Sequence, residues 1–255
     1  MKQDAIRRAA SLLIEARRTG NLLAGLPESC RPQGIDDALA IQQATIEGLG
    51  ERVAGWKVGA PVEGKVVHGA LLGSRIIPSG GSISAARVPL LGVEAEIAFR
   101  LDRDLGPRER PYDYEEVAAA VTAFPAIEIV DSRFRDYRGA PLIERIADCV
   151  SNGAFVEGAP RPDWRGVALK EIEARLEVDG EVLVRRAGGH PSKDPLLPAI
   201  DLVNAFRAEG GTRAGKVITT GTYTGLNFVK PGQTVRAVFE GFGAAEVSFV
   251  ISSAS

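Results

Sequence analysis

Glu94 and Glu96 stand two residues apart in Gly92-Val-Glu-Ala-Glu-Ile-Ala-Phe-Arg-Leu101. Val93, Ala95, Ile97, Phe99 and Leu101 take one parity there, and the two acids, Ala98 and Arg100 take the other. Alternation with period two is the pattern of a strand that has one face in a core. On such a strand both carboxylates leave the same face, with their Cα atoms roughly 7 Å apart. Two acids that close repel unless a cation or a shared proton lies between them. Taken alone, the pair reads as readily as a solvated strand face. A third acid, Glu128, sits in a second β-branched run between Ile127 and Ile129, where an unpaired carboxylate is costly to bury. Three carboxylates with no Cys or His among them describe a hard-cation site for Mg²⁺ or Mn²⁺ rather than for zinc.

Lys57 lies in Gly55-Trp-Lys-Val-Gly59. A strand there puts the lysine on the face of both glycines, with Trp56 and Val58 opposite. That leaves an open floor for a small ligand beside the ammonium; the other reading is a lysine snorkelling off a sheet edge. Arg133, Arg135 and Arg138 closely follow Glu128 and read either as binders of a distal substrate carboxylate or as loop arginines. Ser151, ahead of Asn-Gly, is an orienting hydroxyl or a turn former. Of the only two histidines, His68 and His190, the first is a base at the pocket mouth or an inert loop residue.

The elements that must position these groups are mostly strands. Residues 1–50 read as a helical arm. Ala5 to Arg18 carries Ile6, Ala9, Ala10, Leu13 and Ile14 at helical spacing and stops at Gly20. Ile35 to Leu49 is a second amphipathic helix, closed by Gly48 and Gly50. Beyond, strands are expected over Gly69–Ile77, Leu90–Leu101, Ala126–Val130, Ala154–Glu157, Lys216–Thr220, Thr234–Phe239 and Glu246–Ile251. A helix begins near Asp113, with capping-box spacing to Glu116 and continuing through Val117 and Val121. Leu142–Asp148 and Pro195–Phe206 read as helices. Asp179-Gly180 is a type I′ turn joining the strands of a Glu171–Val184 hairpin. Few, segregated helices and mostly antiparallel strands give an α+β, mainly β body over 51–255 that forms a single domain with the arm. Phosphate-loop and dinucleotide glycine fingerprints are absent.

A net charge of −2 gives no electrostatic case for nucleic acid or an anionic membrane. Two cysteines are too few for a disulfide framework, and the N-terminus has no apolar leader run, so a soluble cytoplasmic protein is expected.

Gly-Trp-Lys-Val-Gly, Glu-Ala-Glu-Ile-Ala-Phe-Arg-Leu, Pro-Ala-Ile-Glu-Ile-Val-Asp-Ser-Arg and Ile-Ala-Asp-Cys-Val-Ser-Asn-Gly occur here in sequence. In that order they resemble the 2-keto-4-pentenoate hydratase and 2-oxo-3-hexenedioate decarboxylase family of the fumarylacetoacetase-like superfamily. The Ala38–Gln42 segment also resembles that family's helical arm. The resemblance implies a mixed β-roll, a divalent metal on Glu94, Glu96 and Glu128, an active-site Lys57, a serine at Ser151 and a homo-oligomer. It also places Asp148, Gly221 and Thr222 (in Thr219-Thr220-Gly221-Thr222) at or near the substrate, and the Gly-His-Pro around His190, which resembles the family's own, reads as structural or pocket-lining. One departure is specific: where the hydratases carry an acid before an aromatic-Gly pair, this chain has Val67 ahead of His68-Gly69.

Such a site suits a 2-oxo acid, whose carboxylate and keto oxygens chelate one metal while the metal stabilises the enolate as a Lewis acid. Lys57, its pKa depressed by the cation, would hydrogen-bond that enolate or move a proton. Hydration of a 2-hydroxypenta-2,4-dienoate-like substrate, in catabolism of aromatic compounds, is the expected reaction. Decarboxylation of a 2-oxo-3-hexenedioate, C–C hydrolysis of an acylpyruvate and metal-dependent binding without turnover are the alternatives.

Overall fold

The computed structural model describes residues 1–59 and 61–251. The arm consists of α1 (Gln3–Thr19) and α2 (Ile35–Leu49). Both helices end on a left-handed glycine, Gly20 at φ 77° and Gly50 at φ 67°, where most other residues would strain the cap. Ile6, Ala9, Leu13, Ile35, Ala38 and Ile41 of the two helices pack with Val67, Phe134 and Ile146 of the body. Gln42 adds a polar clamp. Its Nε2 donates to the carbonyls of His68 (3.1 Å) and Ile146 (2.8 Å), and its Oε1 accepts from the Ala70 amide at 2.9 Å.

The larger sheet contains β1 (Val53–Val58), β2 (His68–Leu72), β3 (Ile76–Pro78), β5 (Gly92–Leu101), β6 (Val121–Val130), β7 (Asn152–Glu157), β10 (Val217–Thr222) and β11 (Asn227–Phe228). Its order is β2-β1-β10-β5-β6-β7-β3, with β11 paired to β5. The smaller sheet runs β4-β13-β12-β8-β9, from β4 (Gly81–Ser84), β8 (Glu173–Val178), β9 (Glu181–Ala187), β12 (Thr234–Phe239) and β13 (Gly243–Val250). Most pairs are antiparallel, as expected; β1–β10, β3–β7 and β4–β13 are parallel. Three further helices are α3 (Tyr114–Ala118), α4 (Leu142–Ala147) and α5 (Leu196–Phe206).

Parity decides what each face of β5 meets. Val93, Ala95, Ile97, Phe99 and Leu101 enter the main core with Leu176, Val235, Ala237 and Val247 of the smaller sheet and with Leu196, Ala199 and Leu202 of α5. On the other face, Ala98 of β5 joins Leu71, Phe124, Ala126, Phe155 and Val217 in a smaller apolar cluster. Glu94 and Glu96 share the parity of Ala98, so they rise from the rim of that second cluster.

Three expected elements are redrawn. The strand expected over Gly69–Ile77 is broken by a 3₁₀ turn at Gly73–Arg75, which sends β2 and β3 to opposite edges of the sheet. The Asp113–Glu116 capping box forms, but α3 spans only five residues, and Val121 opens β6 instead of continuing the helix. β6 therefore spans ten residues and pairs with β5 along its whole length. The Asp179-Gly180 turn has φ 53° and 87°, as a type I′ hairpin requires. Among the described residues no helix is long and apolar enough to cross a membrane.

Candidate metal centre

The β5–β6 ladder sets Glu94 directly opposite Glu128, and Glu96 follows Glu94 on the same face. One carboxylate oxygen from each lies within 4.8 Å of the others. Glu96 and Glu128 are fully buried and Glu94 partly so. Lys57 reaches them from β1, whose neighbours are β2 and β10. Its Nζ sits 2.6 Å from Glu128 Oε1, and Asn152 Nδ2 donates to the same oxygen at 3.1 Å. Glu128 Oε2 is buried with no partner among the described residues.

Glu96 is held from β10. The Thr219 hydroxyl donates to Glu96 Oε2, and the Gly221 amide donates to it at 3.3 Å. The β10–β5 pairing skips two residues between Thr219 and Thr222, and Gly221 takes φ 113° in that bulge, a conformation open mainly to glycine. His190 Nε2 lies 3.0 Å from the Thr220 carbonyl, which pins the bulge from behind and gives this histidine a structural part.

The electrostatics follow from burial and crowding. Burial, then the Glu128 charge, pushes Glu94 up to about 7, with Lys57 opposing. Burial, Glu128 and Glu94 push Glu96 up to about 8. For Lys57, burial favours the neutral amine, but the combined charges of Glu128, Glu94 and Glu96 outweigh it and raise the pKa. Without a cation, the acids thus hold the ammonium charged. Hard oxygen donors, the unpartnered Glu128 oxygen and the raised carboxylates together fit a divalent hard cation.

Other expected residues sort differently. Gly69 pairs with Lys57 in register; a Cβ there would meet the Cys149 carbonyl oxygen at 2.2 Å and Lys57 Cγ at 3.1 Å. Gly55 is required for a similar reason, since its Cβ would run into the Val217 backbone at 2.0 Å; it serves strand packing and not an open floor. Cys149, Val150 and Ser151 all take positive φ (53°, 51° and 59°), a left-handed turn costly for Val150. Ser151 is buried with its Oγ unpartnered among the described residues, one residue before the Asn152 that touches Glu128. Thr222 pairs with Glu96 in register, so both Gly221 and Thr222 border the acids.

His68, Arg133 and Asp148 are corrections. His68 pairs with Val58 and takes the face of Trp56, opposite Lys57. Its ring packs edge-on to Phe206 at 5.0 Å, and burial lowers its pKa to about 4. Arg133 is buried with its Nε 2.6 Å from Asp148 Oδ1, and its Nη2 donates to the Asn152 carbonyl at 3.1 Å. These two therefore satisfy each other behind the acids instead of presenting charge to a substrate. Arg17 of α1 completes the network at 2.9 Å from Asp148. Asn152 and Arg17 carry no signal in the sequence. Asn152 reads as a turn residue, and Arg17 as the basic side of a helix; only the tertiary pairing gives either a partner.

The model of the family described as fumarylacetoacetate (FAA) hydrolase C-terminal matches residues 66–250. The chain belongs to that family. Within it, the chain is 33% identical over 258 residues to a 2-keto-4-pentenoate hydratase of Burkholderia vietnamiensis (strain G4 / LMG 22486), covering 96% of this chain and 98% of the relative. A 4-oxalocrotonate decarboxylase of Pseudomonas putida is 28% identical over 80% of each chain. Among solved structures, a 4-oxalocrotonate decarboxylase from Pseudomonas putida G7, complexed with calcium and acetate, superposes with a TM-score of 0.83 at 23% identity. It covers 98% of this chain and 99% of that one. This likeness shows a shared fold, the mixed α/β, strand-rich roll expected from the sequence.

Proposed function

We propose that this member of the fumarylacetoacetate hydrolase family is a divalent-metal-dependent hydratase. Its substrate would be a short 2-hydroxypenta-2,4-dienoate-like 2-oxo acid of aromatic-compound catabolism, and its product a 4-hydroxy-2-oxo acid. The observation that carries the reading is Lys57 Nζ at 2.6 Å from Glu128 inside a trio of carboxylates. The near-full-length likeness to 2-keto-4-pentenoate hydratases supports it.

Glu94, Glu96 and Glu128 would hold Mg²⁺ or Mn²⁺, which when bound supplies Lewis-acid stabilisation of charge on the 2-oxo oxygen. Lys57, kept protonated by Glu128, hydrogen-bonds that oxygen; as the dienol becomes the conjugated ketone it passes one proton to C5 and takes up the proton that the enol oxygen loses, ending protonated. Gly221 and Thr222 bound the substrate beside Glu96, and the Ser151 hydroxyl orients it. Asn152 and the Arg133–Asp148 pair hold Glu128 and its strand in place. The same reading takes the arm and body as one domain, in a cytoplasmic homo-oligomer.

A specific observation favours decarboxylation of a 2-oxo-3-hexenedioate as the second reading. Val67 is buried against Ile6, Phe134 and Ile146, where the hydratase pattern has an acid, so water has one polar partner fewer. Product NMR after incubation with 2-hydroxypentadienoate, 2-oxo-3-hexenedioate and an acylpyruvate, each with Mg²⁺ or Mn²⁺, separates the readings. Turnover of none of them defeats all three.

A further inference from the structure

A second polar cavity, of about 470 Å³, opens where α1 meets the body, and five arginines line it: Arg17, Arg18, Arg75, Arg87 and Arg133. None of Lys57, Glu94, Glu96 or Glu128 lines it. Leu72, which does, has the opposite parity on β2 from Gly69 and Leu71, so the cavity lies on the other face of that strand. Among the described residues, the only acids on its wall are Glu51 and Asp131.

Those acids are already engaged. Glu51 accepts from the Ser74 hydroxyl, and Asp131 lies 3.3 Å from Arg133 and accepts from the Leu90 amide at 3.1 Å. Asp148, behind the wall, is shared by Arg17 and Arg133. Arg18 donates to the Gly48 carbonyl at 3.3 Å. Arg75 and Arg87 have no carboxylate partner among the described residues. Arg17 is 6% exposed at its side chain, and among the described residues its Nε has no acceptor; neither has Arg75 Nη1, which is also buried. Burial, then the charges of Arg87, Arg17 and Arg133, lowers the Arg75 pKa to about 10, with Asp131 opposing only in part, so these like charges crowd one another. An excess of guanidinium over carboxylate in a half-enclosed space is stabilised by a counter-charge that accepts bidentate hydrogen bonds.

We propose that this cavity is an anion site, distinct from the metal centre, that binds a small oxyanion of charge −2 through Arg75 and Arg87. Inorganic phosphate and a short dicarboxylate share that chemistry. Bound there, the anion bridges the segments flanking β3 and β4, which carry Arg75 and Arg87.

The test is isothermal titration of the magnesium-loaded protein at low ionic strength with phosphate and, separately, with succinate. The expected result is one anion per chain, with the tighter of the two probes naming the source. Binding should weaken tenfold or more in Arg75→Gln and in the exposed Arg87→Gln, and should persist in Glu96→Gln. Binding lost in Glu96→Gln but kept in both arginine variants would assign the anion to the metal centre and overturn the proposal. So would no heat up to tens of millimolar of either probe. A fall in oligomeric mass on Arg75→Gln, without change in anion affinity, would show that a second chain's acids fill the cavity and would also overturn it.

Discussion

Glu94 and Glu128 are direct cross-strand partners, like charges facing each other across the β5–β6 ladder. Directly opposed like charges weaken a sheet, and here Glu96 adds a third acid on the same face. Lys57 answers one negative charge of the three. A doubly charged ion would answer the rest.

Removing one of those charges should separate stability from activity. Glu94→Gln is expected to raise the metal-free melting temperature by a few degrees, since repulsion falls, while Mg²⁺-dependent turnover drops about 100-fold or more. Thermal melts in chelator, run beside kinetic assays over a Mg²⁺ series, test both halves. A variant that melts lower and still turns over normally would contradict the metal assignment.

The pH dependence of metal-free stability has a definite sign. Glu94 and Glu96 are raised in the folded state to about 7 and about 8, above the roughly 4.3 of an unfolded glutamate. Groups raised on folding contribute stability that is fully present below the unfolded pKa and is lost as pH climbs through the folded values. In chelator the melting temperature should therefore fall between about pH 4 and about pH 8, by on the order of 5 °C, and level off above that. Added Mg²⁺ should restore most of the loss at the alkaline end. A flat profile in chelator would be inconsistent with buried, crowded acids.

The opposite limb belongs to His68. Its pKa is lowered by burial to about 4, so it contributes stability present above about 6.5 that drains away as pH falls through the folded value. His68→Phe keeps the contact with Phe206 and removes the titration. Its unfolding free energy should decline less steeply than that of the wild type between about pH 6.5 and about pH 4. Turnover at neutral pH should be unchanged, because His68 lies on the other face from Lys57. A large loss of kcat would return His68 to the site.

Lys57→Met should lower kcat by roughly 10²–10⁴-fold, the range for a positioned proton donor, with Mg²⁺ affinity retained. Pre-steady-state proton exchange at substrate C5, followed by NMR, reads the step directly. Unimpaired exchange would remove the lysine from proton transfer.

Gly69→Ala places a methyl against the Cys149 carbonyl and the Lys57 stem. Overpacking of this kind costs roughly 1–3 kcal/mol, and the damage should extend to kcat because both contacts lead to the acids. Gly59→Ala, whose added Cβ meets nothing within 4 Å, is the matched control. Equal behaviour of the two variants would show the contact to be compliant.

Period-two alternation makes the acids of β5 readable from the sequence, because strand parity alone puts Glu94 and Glu96 on one face. The helical arm is equally plain, from apolar spacing and terminal glycines. What stays hidden depends on partners distant along the chain. Arg133 reads as a loop residue until Asp148, fifteen positions on, is seen to bury it. His68 adjoins Gly69, yet a single residue of offset sends its ring to the face opposite Lys57. Strand breaks such as Gly73–Arg75 lack a proline or a charge run to announce them, so β2 and β3 read as one. The parallel β1–β10 pairing, which sets Lys57 beside Thr219, has no local signature at all.

The ten-rung match of β5 to β6 carries a consequence for how the molecule is handled. Sliding β5 by a single position would bury Glu94 and Glu96 among Leu176, Val235 and Val247 and hand Val93, Ala95 and Ile97 to the cation. No intermediate alignment offers three oxygens to one point. Stoichiometric Mn²⁺ uptake by a refolded or mutated preparation would accordingly count correctly threaded chains, before any substrate is in hand.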